Sequence, residues 1–214
     1  QSSYVGGTEY DSVTALAIHP TTGDVYLAGS TNSANFPSTA GGAQSNFASS
    51  SFTGGFVTKF NAALTTRHQS TFHGGVTGLE IQAIAIHPTT GDVYVAGETS
   101  SSDLPNAAGG AQSTYGGGYA DAFVTRFNGS LTSRMQSTYF GGSGEDIAYA
   151  LTIHPTTGEV YVAGKTASID LPLVAGGAQS SFANAYVTRM SPLLTSVSQT
   201  SYVGDIGNYY HVYG

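Results

Sequence analysis

The chain has 214 residues and a formal charge of −7, with 13 acidic residues against six lysines and arginines. Charged residues make up 9% of it, far below the ~25% of ordinary soluble domains. The six cations (Lys59, Arg67, Arg126, Arg134, Lys165, Arg189) are scattered, which excludes a basic face for a nucleic-acid backbone. The absence of Cys excludes disulfides, thiolate metal centres and cysteine nucleophiles, and no apolar run approaches the ~18 residues of a membrane span.

In chain order, Ser3-Tyr4-Val5-Gly6-Gly7 comes first, and it returns as Thr71-Phe72-His73-Gly74-Gly75, Thr138-Tyr139-Phe140-Gly141-Gly142 and Ser201-Tyr202-Val203-Gly204-Asp205. It reads as the last strand of a unit. Val13 to Ile18 is a nearly continuous apolar run, as expected of a strand covered on both faces. A polar turn, His19 to Asp24, follows. Pro20 fixes φ there, and Gly23 can take φ > 0 before the chain reverses into a second strand, Asp24 to Gly29. A Ser/Gly/Asn/Pro-rich connection runs from Ser30 to Gly55 and contains Ala40-Gly41-Gly42-Ala43-Gln44-Ser45. Its recurrence marks it as an ordered part of the unit. Gly55 to Phe60 and Arg67 to Phe72 complete four strands.

The stretch Ile18-His19-Pro20-Thr21-Thr22-Gly23-Asp24-Val25-Tyr26 recurs from Ile86 and from Ile153, the third copy with Glu159 for Asp. Fixed self-similarity of this kind marks an array of like modules. Sustained 3.6-residue periodicity is absent, so the fold expectation is all-β: three four-stranded antiparallel propeller-type blades in an open or intermolecularly completed array. The units divide as 1–7 (terminal strand of a preceding blade), 8–75, 76–142, 143–204 and 205–214 (a partial fourth repeat).

Several landmarks resemble the bacterial β-propeller repeat family called SBBP. They are Gly91-Asp92-Val93-Tyr94-Val95-Ala96-Gly97, Ser101-Ser102-Asp103-Leu104-Pro105, residues 117–127, Gln136 to Gly142 and Gly141-Gly142-Ser143-Gly144-Glu145-Asp146. The resemblance covers essentially the whole chain and is closest in the middle unit. It implies an exported or cell-surface bacterial repeat protein with no catalytic residues to carry over. The chain departs from the family at His19, His87 and His154, where Asp is common. The acidic pair at Glu145-Asp146 is Tyr10-Asp11 and Gly78-Leu79 in the other units, and Asp121 is Gly54 and Asn184.

Little chemistry is legible. The three histidines precede Pro in a turn and read as turn caps rather than zinc ligands. Asp24, Asp92 and Glu159 read as turn or solvent-facing residues, and Asn35, Asp103 and Asp170 as Asx-type turn residues. Glu145 and Asp146, near Ser143, are the local calcium candidates. No cofactor is expected. No Gly-x-Ser-x-Gly elbow or phosphate loop is present, and the chain reads as non-enzymatic. Asn128-Gly129-Ser130 matches the N-glycosylation pattern.

Low charge and spare strand at both ends point to self-assembly. The expected function is a secreted structural protein joined head to tail into an extracellular filament or surface layer. The assembly residues are Tyr4, Val5, Tyr202, Val203, Tyr209, Tyr210, Val212 and Tyr213. The alternative is an adhesin- or lectin-like module holding carbohydrate or protein in the long loops. The start at Gln1 reads as a processed or cut end, and the location as extracellular or cell surface.

Overall fold

A computed structural model describes residues 2–48 and 53–205. Among these residues, twelve strands form three four-stranded antiparallel sheets, each a meander of consecutive strands. The first holds β1 (Asp11–Ile18), β2 (Val25–Thr31), β3 (Gly54–Phe60) and β4 (Arg67–His73). The second holds β5 (Leu79–Ile86), β6 (Val93–Thr99), β7 (Asp121–Phe127) and β8 (Arg134–Phe140). The third holds β9 (Asp146–Ile153), β10 (Val160–Thr166), β11 (Ala185–Met190) and β12 (Val197–Val203). These are three propeller-type blades, and they are not closed into a barrel. The strands lie within two residues of those expected from the sequence.

The blades stack face to face. β5 packs across β1, β2 and β3, and β9 across β5, β6 and β7. β5 and β9 each lie against the blade before, most closely against its first strand, so β1, β5 and β9 are neighbours and form the innermost strands of the stack. Each blade has a leading face, turned to the blade before, and a trailing face, turned to the blade after. Two cores follow. One joins Tyr26, Ala28 and Val57 of the first blade to Ile81, Val95, Phe123 and Leu131 of the second. The other joins Tyr94, Ala96 and Val124 of the second to Ala148, Val162, Tyr186 and Leu194 of the third.

The recurring landmarks have local causes. In the β1–β2 turn the His19 amide donates to Asp24 O and the Gly23 amide to His19 O. Gly23, Gly91 and Gly158 sit at φ 72°, 72° and 73°, a region costly for residues with a Cβ. The long connection is ordered by β4 and its equivalents. Gln69 Nε2 donates to Ser38 O and Ala40 O, Gln136 Nε2 to Asn106 O and Ala108 O, and Gln199 Nε2 to Leu173 O and Ala175 O.

Asn35, Asp103 and Asp170 depart from the local Asx turn expected of them. Each accepts backbone amides 27 residues away: Asn35 Oδ1 from Thr8, Asp103 Oδ1 from Val76 and Asp170 Oδ1 from Ser143. They latch the long connection to the approach of each blade's first strand. The recurring Gly-Gly makes room for this, since a Cβ on Gly75 would lie 2.0 Å from Asp103 Oδ1.

Candidate assembly faces

The internal junctions are built twice from the same parts. Tyr26 Oη donates to Gly129 O at 2.6 Å, and Tyr94 Oη to Pro192 O at 2.6 Å. Burial pushes the Tyr94 hydroxyl up to about 12, so it remains a donor at any ordinary pH. The Ala43 amide donates to Leu131 O at 2.9 Å, and the Ala111 amide to Leu194 O at 2.8 Å. Leu131 and Leu194 hold φ at 60° and 59°, an uncommon conformation for Leu. It lets one residue bury its side chain in the junction while its carbonyl receives the preceding blade. Arg134 Nη2 adds a bond to Gln44 Oε1 at 2.7 Å. The His19 ring reaches across so that a Cβ on Gly91 would lie 2.7 Å from its Nε2, and His87 stands likewise 2.6 Å from Gly158.

At the two ends of the stack some of the matching positions are uncovered, while Phe56, Phe60 and Phe72, the counterparts of Phe123, Phe127 and Tyr139, stay buried within the first blade. On the trailing side, Val57 and Val124 are fully buried while Val187 is 37% exposed, and Phe140 is buried while Val203 is 47% exposed. Tyr161, the equivalent of Tyr26 and Tyr94, is half-buried, and His154 is exposed. On the leading side, Ile81 and Ile84 are buried, whereas Val13, Leu16 and Ile18 of β1 are 49%, 58% and 60% exposed. Burial on both faces, expected of this apolar run, holds for β5 and fails for β1, because the described residues place no blade in front of the first.

The remaining nominated residues sit as follows. His19 Nδ1 accepts the amides of Thr21 and Thr22, and His87 and His154 repeat this with Thr89 and Thr90, Thr156 and Thr157. Asp24, Asp92 and Glu159 are cross-strand ion-pair partners, of Lys59 (3.1 Å), Arg126 (2.6 Å) and Arg189 (3.6 Å), rather than free turn residues. Glu145 pairs with Lys165 at 2.5 Å. Asp146 is buried and accepts from Gly142 N and Ser168 Oγ. Among the described residues no group of three or more His, Asp or Glu is placed to hold a metal.

Asn128 ties the β7–β8 turn, its Oδ1 accepting the amides of Thr132 and Ser133. Tyr4 and Val5 lie in an unpaired stretch, Tyr4 fully exposed and Val5 against Phe36, Phe56 and Phe72. Tyr202 and Val203 lie in β12, paired with β11. Tyr209, Tyr210, Val212 and Tyr213 fall outside the described residues.

Two buried titratable groups, His73 and Asp121, and the half-buried Glu98 were not marked by the sequence as junction groups. Between the first two blades, His73 Nε2 bonds Thr125 Oγ1 at 2.9 Å while Nδ1 has no partner among the described residues. Burial, and then the nearby Arg134 charge, hold this imidazole well below its usual range. Between the second and third blades, burial and then the Asp146 charge push the Asp121 carboxyl up to about 7, against the pull of the Gly116 amide. Its Oδ1 has no partner among the described residues. Burial, followed by Glu80 and Glu145, also raises Glu98 to about 7. The preceding junction has Gly54 and Leu79 where this one has Asp121 and Asp146. In the sequence His73, Asp121 and Glu98 are only scattered polar residues, because their environment arises from blade stacking.

No protein-family model and no curated protein sequence matches the chain. No helix among the described residues is long and apolar enough to cross a membrane.

Proposed function

We propose that this chain is a non-enzymatic, secreted structural protein that builds an extracellular assembly by head-to-tail association with copies of itself. The observation that carries this reading is the pair of end faces, where Val13, Leu16 and Ile18 at one end and Val187 and Val203 at the other are exposed at positions covered inside the chain. The proposed joint lies between blade faces; of the terminal-strand residues expected from the sequence, Tyr209, Tyr210, Val212 and Tyr213 lie outside the described residues. All three described sheets draw their four strands from one continuous stretch, and the nominated Tyr202 and Val203 are already paired. The low charge favours such contacts, and the resemblance to SBBP repeats supports an exported, surface-associated location. The long loops spend their polar groups on latching the fold, so binding carbohydrate through them gains no support. Static light scattering over a hundredfold dilution tests the reading. Mass above that of one chain, falling on dilution, is expected, and a single-chain mass at every concentration contradicts it.

A further inference from the structure

The exposed faces at the two ends of the stack are complementary, because each internal junction joins a trailing face to a leading face of the same design. We propose that two copies of this chain close head to tail into a single six-bladed ring. This rests on the self-association proposed above and sets where it stops.

The occupant of each end face is specified by equivalence. In a joint made like the internal ones, the Tyr161 hydroxyl donates to Ala62 O of the second copy, since Ala62 stands where Gly129 and Pro192 receive Tyr26 and Tyr94. The Ala178 amide donates to Leu64 O, and Leu64 already holds the φ of 56° that Leu131 and Leu194 share. Its side chain is only half-buried, whereas theirs are fully buried. The Gly23 turn, half-buried where Gly91 and Gly158 are buried, receives the exposed His154 ring.

A polar group also lacks its mate. Arg67 Nε and Nη1 are buried without a partner among the described residues. Its equivalent Arg134, stacked over Phe127 as Arg67 is over Phe60, donates to Gln44 of the preceding blade. Gln179 of the second copy stands at the matching place. The equivalent bond would come from Arg67 Nη2; Arg134 keeps its own Nε without a partner among the described residues inside the internal junction, so the joint adds one charge-assisted hydrogen bond. Two shallow depressions of about 280 and 210 Å³, which share Tyr161 and Val187, mark the trailing face of the third blade. The equivalent surface inside the chain is filled by Ile81, Ile84 and Ile86, and Val13, Leu16 and Ile18 are their counterparts.

Closure follows from curvature and number. The innermost strands make the closest approach, so the blades fan about an axis and a repeated joint continues to turn. Copies of a three-bladed unit close only at multiples of three, and two copies give the one such multiple within the ~4–8 blades of closed propellers. A heterologous joint whose rotation closes makes a ring and does not propagate.

The test uses two variants of exposed side chains, Val187→Glu on the trailing face and Leu16→Glu on the leading face, each first shown to keep the wild-type circular dichroism spectrum. In sedimentation, the wild-type chain is expected at about 44 kDa, twice its 21.9 kDa, with no larger species. Each variant alone is expected as a single chain. Their equimolar mixture is expected to recover the two-copy species through its one intact joint, with affinity lower by roughly 100-fold or more because the second, intramolecular joint is lost. A wild-type series of species beyond two copies overturns the ring and leaves self-association standing. A two-copy mass unaffected by Val187→Glu overturns the joint in the same way. A wild-type chain that stays single overturns both.

Discussion

The hydroxyl of Tyr26 and the carbonyl oxygen of Gly129 meet at 2.6 Å across the boundary between two blades. A side chain from the second strand of one unit thus ends on the turn between the third and fourth strands of the next, and Tyr94 does the same with Pro192. The bond fixes how far one blade is turned against its neighbour. Tyr94→Phe is expected to cost about 1 kcal/mol of stability through the unmated Pro192 carbonyl, measured by urea unfolding, and Tyr26→Phe less, since Lys59 Nζ also donates to Gly129 O at 3.4 Å. Tyr161→Phe is expected to leave the unfolding of the isolated chain unchanged and to weaken association of copies.

Asp121 gives the second junction a pH dependence. An exposed aspartate titrates at 3.8, and in the fold this group is raised to about 7. The folded state therefore holds a proton that the unfolded state has released, and stability falls as pH rises from about 4 to about 7. Asp121→Asn, the residue that Asn184 supplies in the third blade, is expected to raise the melting temperature increasingly over that window and by a constant amount above it. A melting difference that does not vary with pH would contradict this.

His73 acts with the opposite sign. Its pKa is held well below 6.5, so the unfolded chain takes up a proton first and stability falls as pH drops below about 6.5. Replacing it by the residue that the second blade carries there, in His73→Phe, is expected to raise the melting temperature at pH 5 relative to wild type more than at pH 8. Equal shifts at the two values would show that the gain is packing alone.

Gly97 sits at a strand irregularity where Ile81 and Ala83 pair with Gly97 and Ala96. A Cβ there would stand 1.9 Å from the carbonyl oxygen of Glu80, a backbone atom that cannot swing aside. Gly97→Ala is expected to cost about 3 kcal/mol, read as a lowered urea midpoint, because the β5–β6 register must shift.

Much of the fold was legible in the chain. The Gly23, Gly91 and Gly158 turns and the alternation of apolar runs with polar loops located the strands to within two residues, because turn chemistry and strand patterning are local. The histidines were legible for the same reason, since each bonds amides two and three residues on. The reach of Asp103 to Val76 and the pairing of Asp24 with Lys59 were not. They join residues distant in sequence, and no local pattern distinguishes them from turn residues. The sequence points to the chain ends, in Tyr4 and Tyr202, because unpaired strands are visible in a sequence. Faces are not visible. Val187 and Val124 read identically as residues, and only the stacking shows that one is covered and the other bare.

The most direct test is the accessibility of Tyr161, measured by hydroxyl-radical footprinting across a range of protein concentrations. The chain carries its own standards, with Tyr94 at 1% exposure and Tyr119 at 79%. If the end faces complete one another, modification of Tyr161 will fall towards that of Tyr94 as copies associate and rise again on dilution, while Tyr119 stays unchanged. A Tyr161 rate independent of concentration, under conditions where the mass shows association, would place the joint elsewhere and contradict the equivalence of end and internal faces.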